Sequence, residues 1–144
     1  MADVPPAATV PELLAAGAAD AIAVQGAGGR DATFADLRAT VDALGGQLRG
    51  AGVSANERAA LVLPNGPGMA AAFLAAATAG TAAPLNPRYR EEELRLSFQE
   101  LRVRVVVAAP DAEEIPAVPG VRRLDLQGDG LDLTLTEDGQ PVPS

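Results

Sequence analysis

The residue types missing from this sequence restrict its chemistry more than those it contains. Its 144 residues include no Cys and no His, and all eleven basic residues are Arg because Lys is also absent. The chain therefore has no Cys-His or Ser-His-Asp nucleophile, no zinc site of the usual ligand types, and no Lys for a Schiff base or a phosphate loop. Asp, Glu, Ser, Thr, Tyr and Arg remain for acid–base or nucleophilic chemistry.

A glycine-rich segment, GAGGRD at residues 26–31, is a candidate dinucleotide loop. Such a loop needs a third small residue where this chain has Asp31, and a long helix should open directly from it. The alternative is a hairpin turn between strands at 21–24 and 32–34, and the sequence favours that alternative.

Carboxylates are the next candidates. Glu91, Glu92 and Glu93 could form a metal or acid–base cluster, but neighbours in one helical turn point in different directions. Three acidic residues also suit the positive end of a helix dipole. An enzyme that uses only carboxylates such as Asp36, Asp42 or Glu91 is a further hypothesis, although these residues fall on predicted exposed helix turns. We therefore predict no catalytic, cofactor-binding or metal-binding residue in this chain.

Two asparagines follow predicted strands at their carboxyl ends. Open α/β sheets place ligands at that edge, so Asn65 and Asn86 are candidate ligand contacts. The alternative, which the sequence favours, is that both are turn residues ahead of the next helix.

Composition limits the class of protein. The net charge of −8 argues against nucleic acid as a partner, because binding a phosphate backbone requires an excess of basic residues. The most apolar stretch, residues 69–85, is Ala-rich and contains Pro84, which predicts a buried helix rather than a membrane span. The opening residues lack the features of a secretory signal, so we expect a cytoplasmic protein.

The patterns along the chain predict the elements that must position these residues. A capping motif at Thr33 and Asp36 precedes apolar residues at spacings of three and four, which predicts a long helix ending at Gly50 or Gly52. Further helices are predicted at 10–16, at 69–79 before Gly80, and from 91. Strands are predicted at 59–63, 81–85, 103–108 and 121–126.

Alternation of strands and helices from 59 to 108 predicts an α/β fold with a largely parallel sheet flanked by helices. The predicted organisation is a disordered tail at 1–8, one domain at 9–126, and a loop and Pro-rich tail at 127–144. The expected helical core residues are Leu37, Val41, Leu44 and Leu48.

Four segments occur in a fixed order: TFADLR at 33–38, NERAALVLPN at 56–65, AGTAAPLNP at 79–87 and EEL at 92–94. This order resembles the N-terminal portion of the AMP-binding superfamily, the acyl-adenylate-forming enzymes that include acyl-CoA synthetases. The PLNP and RVRVVV segments at 84–87 and 102–107 are most similar to oxalate and other small-acid CoA ligases. The sequence departs from the family pattern at Asn56–Glu57 and at Arg90.

The resemblance implies a reaction of a carboxylic acid with ATP and coenzyme A, through an acyl-adenylate, to give acyl-CoA, AMP and pyrophosphate. The family uses a Lys-containing phosphate loop, a metal-linked Glu, a ribose-holding Asp and a mobile Lys for it, and none of these motifs is in this chain. We therefore expect an N-terminal fragment, part of the sheet scaffold and the wall of the acid pocket, that is inactive alone. ATP, Mg²⁺ and CoA are implied only for the full-length family.

Two further expectations follow. The partner should be the missing C-terminal remainder of the ligase, or a second copy, because a sheet meant to pack on that remainder leaves apolar surface exposed. The alternative function is a non-enzymatic remnant or binding module derived from such a ligase.

Overall fold

The computed structural model describes residues 9–15, 18–24 and 31–144. Its helices are α1 (Val10–Ala15), α2 (Phe34–Gly50), α3 (Pro67–Ala79) and α4 (Glu91–Leu101). Its strands are β1 (Ile22–Val24), β2 (Ala32–Thr33), β3 (Arg58–Val62), β4 (Thr81–Pro84), β5 (Val103–Ala108), β6 (Arg122–Asp129), β7 (Asp132–Glu137) and β8 (Gln140–Pro141). The predicted tail at 1–8 and the glycine turn at 26–30 lie outside the described residues.

The main sheet has six strands in the order β4-β3-β5-β6-β7-β8. The first four strands are parallel to one another, whereas β7 pairs antiparallel with β6, and β8 pairs antiparallel with β7. Strands β1 and β2 pair antiparallel as a separate small sheet, which is the predicted hairpin. The predicted α/β fold with a largely parallel sheet is confirmed.

Local sequence explains the best-defined helix. The Thr33 hydroxyl accepts a hydrogen bond from the Asp36 backbone N–H at 3.2 Å, and the Asp36 carboxylate accepts one from the Thr33 N–H at 3.0 Å. This reciprocal pair satisfies two N–H groups that the first helical turn leaves without partners. At the other end the chain leaves α2 after Gly50, and Gly52 adopts a φ of 101°.

Helices cover both faces of the sheet. On one face, alternate residues of β3 and β5 pack against α2 and α3, and all four predicted core residues of α2 are buried there. On the other face, Ala60, Val62 and Val106 pack against Leu94 and Phe98 of α4. Burial on both faces accounts for the unbroken apolar runs of β3 and β5.

Gly80 ends α3, as predicted, but the reason is close packing rather than a left-handed backbone. Its φ is −162°, which any residue can adopt. A Cβ at this position would lie 2.5 Å from the carbonyl oxygen of Glu57 and 2.6 Å from that of Ser54. Only glycine lets the chain turn from α3 into β4 this close to the preceding loop.

The prediction of a loop and Pro-rich tail at 127–144 is wrong. Strand β6 extends to Asp129, and β7 and β8 follow it in the same sheet. Leu135 and Val142 are buried in the main core. The reason is a tertiary contact: the buried Gln47 side chain of α2 hydrogen-bonds the backbone of both residues and thereby holds this segment on the core.

Within the described ranges, no helix has the length and apolar character needed to cross a membrane.

Candidate functional site

The sheet has one point at which the chain leaves neighbouring strands in opposite directions. From β3 it passes through α3 to β4 on one side, and from β5 it passes through residues 109–121 to β6 on the other. The two connections also lie on opposite faces, since α3 packs in the core with α2 while Ile115 and Val118 pack in the core with α4. Ligands in open α/β sheets bind in the crevice outside the strands at such a switch point.

A crevice of about 260 Å³ lies at this switch point. Its apolar walls are Leu63, Met69, Ala109, Leu126 and Leu133. The loop at 64–68 forms one side, and the turn at 128–130 between β6 and β7 forms the other. A small apolar group would be compatible with these walls.

Glycine allows the two sides of the crevice to approach. A Cβ on Gly68 would lie 3.3 Å from a terminal methyl carbon of Leu126. Gly128 has a φ of 124°, and a Cβ there would overlap the Asp132 carbonyl oxygen. A side chain at Gly68 would therefore press on Leu126 across the crevice, whereas one at Gly128 would disrupt the pairing of β6 with β7.

The polar side chains that line the crevice are those of Asn65 and Asp129. Asn65 is exposed and lines the crevice just after β3, and its role as a ligand contact stays a prediction. Neither Asn65 nor Asp129 carries a positive charge. The side chains that line the crevice therefore supply no positive charge to a phosphate group.

Asn86 does not lie beside Asn65 at the crevice. Its side-chain oxygen accepts a hydrogen bond from the Arg88 N–H at 2.9 Å, and its carbonyl accepts one from the Tyr89 N–H at 3.0 Å. It follows the edge strand β4 and does not line the crevice. The alternative prediction, a turn residue, is confirmed for Asn86.

The three glutamates at the start of α4 make their contacts within that helix and its N-cap residue. The Glu93 carboxylate accepts a hydrogen bond from the Arg90 N–H at 3.2 Å, while Glu91 and Glu92 lie 3.1 and 3.7 Å from guanidinium nitrogens of Arg95. These contacts support the interpretation of an acidic, solvated first turn.

The candidate carboxylates Asp36, Asp42 and Glu91 do not lie together. Asp36 caps α2, Asp42 is exposed further along the same helix, and Glu91 lies on α4. Among the described residues, no three Asp or Glu side chains are grouped closely enough to hold a metal ion.

A close ion pair lies outside the crevice. Arg122 on β6 and Glu137 on β7 form a bidentate contact, with distances of 2.9 and 2.6 Å between guanidinium nitrogens and carboxylate oxygens. The hydrogen bond with Glu137 raises the pKa of Arg122. Burial lowers this pKa by a smaller amount, and the negative charge of Glu137 raises it further. The same contact lowers the pKa of Glu137. The pair holds two strands together and has no place in the crevice.

Sequence reasoning predicted β6 as far as Leu126 but missed the part of the wall that the following turn and β7 contribute. Leu131, Leu133 and Leu135 alternate with polar residues after a turn sequence, GDG at 128–130, which is a hairpin signal. The proline and glycine content of the following residues led to the prediction of a tail instead.

A family model described as AMP-binding enzyme matches residues 12–143. The chain belongs to this family. The match covers the four segments on which the resemblance was based, and it continues past residue 126 through the β6–β8 region.

Solved structures agree with this membership. The chain is 28% identical to CmiS6 with a TM-score of 0.75, and the similarity covers 100% of this chain and 36% of CmiS6. It is 26% identical to a putative long-chain-fatty-acid CoA ligase from Rhodopseudomonas palustris, with a TM-score of 0.70, covering 82% of this chain and 32% of that one.

A third structure shows the same fold. It is the O-succinylbenzoate coenzyme A synthetase MenE from Bacillus subtilis in complex with ATP and magnesium, with 22% identity, a TM-score of 0.61, and coverage of 67% and 27%. The chain thus spans about a third of the length of these relatives. A search of proteins with curated functions gives no significant match.

Proposed function

We propose that this chain is the N-terminal part of an ATP-dependent acyl-CoA synthetase, which joins a carboxylic acid to coenzyme A through an acyl-adenylate. The observation that supports this most is the family match over residues 12–143, together with a fold shared with a putative long-chain-fatty-acid CoA ligase. The narrower similarity to small-acid ligases stays a prediction.

In this proposal the chain supplies scaffold rather than reacting groups. The transition state of adenylation concentrates negative charge, which requires fixed positive groups at the phosphates. The described crevice offers Asn65 and Asp129, and the chain has no Lys at any position. ATP, Mg²⁺ and CoA would therefore be bound by the remainder of the ligase, and this chain alone would not turn over ATP. We place it in the cytoplasm, where these cosubstrates occur.

The test begins with the coding DNA downstream of Ser144. We expect an in-frame Ser/Thr/Gly-rich phosphate-loop sequence that contains Lys. The purified 144-residue chain and the complete product should then be compared for pyrophosphate release with ATP, Mg²⁺ and a panel of carboxylic acids.

Acid-dependent release from the complete product, with none from the 144-residue chain, is the expected result. Release from the 144-residue chain would show that its own carboxylates act, and would overturn the scaffold role. A stop codon after Ser144 would overturn the ligase proposal and favour the non-enzymatic binding module.

A further inference from the structure

The three asparagines of this chain stand in three different local settings. They are Asn56, Asn65 and Asn86, and each is exposed to solvent. An asparagine side chain loses its amide without an enzyme when the backbone nitrogen of the next residue attacks the side-chain carbonyl carbon. This attack requires a nitrogen that carries a hydrogen, that is not held by another hydrogen bond, and that is not crowded by its own side chain. The residue that follows each asparagine therefore decides its chemical stability.

Asn65 is followed by glycine, the residue that obstructs this attack least. A Cβ built on Gly66 would meet no atom within 4 Å, so the space around its backbone is open. Its φ of 151° is one that residues with a side chain rarely adopt. Within the described part of the chain, neither the Asn65 side chain nor the Gly66 N–H takes part in a hydrogen bond. The nitrogen and the carbonyl carbon are therefore free to meet.

The helix that follows does not hold this nitrogen. Helix α3 begins at Pro67, and the Ala70 N–H donates to the Gly66 carbonyl oxygen at 3.1 Å. That bond uses the carbonyl of Gly66 and leaves its nitrogen outside the helix. Asn65 and Gly66 are both exposed, and exposed loops open locally at little cost in free energy. The fold therefore gives the connection between them little protection.

The other two asparagines are protected, for different reasons. Asn86 precedes a proline, whose nitrogen has no hydrogen to lose, and its side-chain oxygen accepts a hydrogen bond from the Arg88 N–H at 2.9 Å. Asn56 precedes Glu57, whose side chain crowds the attack and whose N–H donates to the Ser54 carbonyl oxygen at 2.9 Å. The chain thus contains two internal controls for Asn65.

We propose that Asn65 is a site of spontaneous deamidation. The Gly66 backbone nitrogen gives up its proton to hydroxide and forms a bond to the Asn65 side-chain carbonyl carbon. The bond from that carbon to the amide nitrogen breaks, and ammonia leaves. Water then opens the cyclic imide at either of its two carbonyls, which gives aspartate or isoaspartate at position 65. This inference does not depend on the proposed function.

Deamidation changes the mouth of the crevice. It adds a carboxylate to a polar lining in which Asp129 already carries one, so it makes the crevice less favourable for an anion. The isoaspartate product also lengthens the backbone between β3 and α3 by one methylene group. Either product carries one negative charge more than the net charge of −8 of the unmodified chain, so ion exchange separates them from it.

Timed incubation of the purified, folded chain tests the site. A synthetic peptide of residues 61–69 gives the rate without the fold, and circular dichroism confirms that the chain stays folded during the incubation. Asn65→Gln is the matched control, because its side chain would have to close a larger ring, which forms more slowly. Samples are digested and the peptides analysed by mass spectrometry, in which the exchange of an amide NH₂ for OH raises the mass.

The expected result is conversion of Asn65 at a rate within about fivefold of that of the peptide, and faster at higher pH, because little local opening is needed. Asn56, Asn86 and the Asn65→Gln chain should stay unchanged over the same time. Conversion more than about fivefold slower than in the peptide would show that the fold protects the connection, and would overturn the proposal. Equal conversion at Asn56 or Asn86 would also overturn it, because the local setting would then not decide the site.

Discussion

At the scale of single residues, Gln47 connects the helical layer to the end of the sheet. Its amide nitrogen donates to the Leu135 and Val142 carbonyl oxygens at 3.1 and 2.9 Å, and its oxygen accepts from the Leu135 N–H at 2.9 Å. All these groups are buried, where an unsatisfied partner is costly because no water can replace it.

Replacing Gln47 with Leu should lower the free energy of unfolding by about 2–4 kcal/mol, since it removes the Gln47 partners of the buried Leu135 N–H and Val142 carbonyl oxygen, whereas the Leu135 carbonyl oxygen still accepts from the Val142 N–H. Urea denaturation measures the change. Gln99→Leu, at an exposed position of α4, is the matched control and should change stability by less than about 0.5 kcal/mol. Equal midpoints for the two variants would show that the Gln47 amide does not hold the β7 segment.

Two glycines should respond to the same substitution in opposite directions. Gly80→Ala should destabilise by about 1–3 kcal/mol, because the new Cβ meets backbone oxygens of Glu57 and Ser54 that cannot easily move. Gly45→Ala should stabilise by about 0.5–1 kcal/mol, because it lies inside α2 and its Cβ would meet its nearest neighbour, on Arg49, at 3.6 Å. Thermal unfolding of both variants checks the signs, and a stabilised Gly80→Ala would contradict the close approach.

At the scale of elements, the β6–β7 hairpin carries the Arg122–Glu137 contact. Arg122 lowers the pKa of Glu137 in the folded state, so the contact stabilises the protein above the ordinary glutamate value of about 4.3 and is lost as the pH falls through the lower, folded value. The side chains are 43% and 32% exposed, so solvent screening limits the effect to less than about 1 kcal/mol.

Glu137→Gln should therefore lower the free energy of unfolding at pH 7, and this difference should shrink as the pH falls below about 4.3. Urea midpoints across the pH range measure it. Glu100→Gln on α4 controls for the loss of one negative charge. A difference for Glu137→Gln that is constant with pH would mean that the contact does not stabilise the hairpin.

At the scale of the whole molecule, the unit that folds should extend beyond the predicted limit of residue 126. Leu135 and Val142 belong to the main core, and β7 pairs with β6 over five residue pairs. A chain ending at Leu126 would lose these contacts, together with the hydrogen bonds that hold the Gln47 side chain.

We expect the chain that ends at Leu126 to lose cooperative unfolding, whereas one that ends at Val142 keeps it. Thermal unfolding monitored by circular dichroism, in the near-ultraviolet or in the amide region, distinguishes the two chains. Cooperative unfolding of the shorter chain would restore the predicted boundary.

Much of the fold follows from local sequence. The Thr33–Asp36 capping motif, the apolar stripe of α2 and the unbroken runs of β3 and β5 predict those elements to within one or two residues, because hydrogen-bonding needs and hydrophobic periodicity act over short distances. The order of four motifs indicates the family, and the missing Lys, His and Cys limit the chemistry. These conclusions do not depend on which helices and strands contact one another in the fold.

Tertiary structure alone decided how the distant parts combine. Residues 127–144 are rich in turn formers, yet Gln47, more than 80 positions earlier, supplies the hydrogen bonds that hold their strands. The strand order places Asn65 at the switch-point crevice and leaves Asn86 in a turn after the edge strand. In each case the deciding contacts join residues far apart in the chain, and local patterns do not encode such pairings.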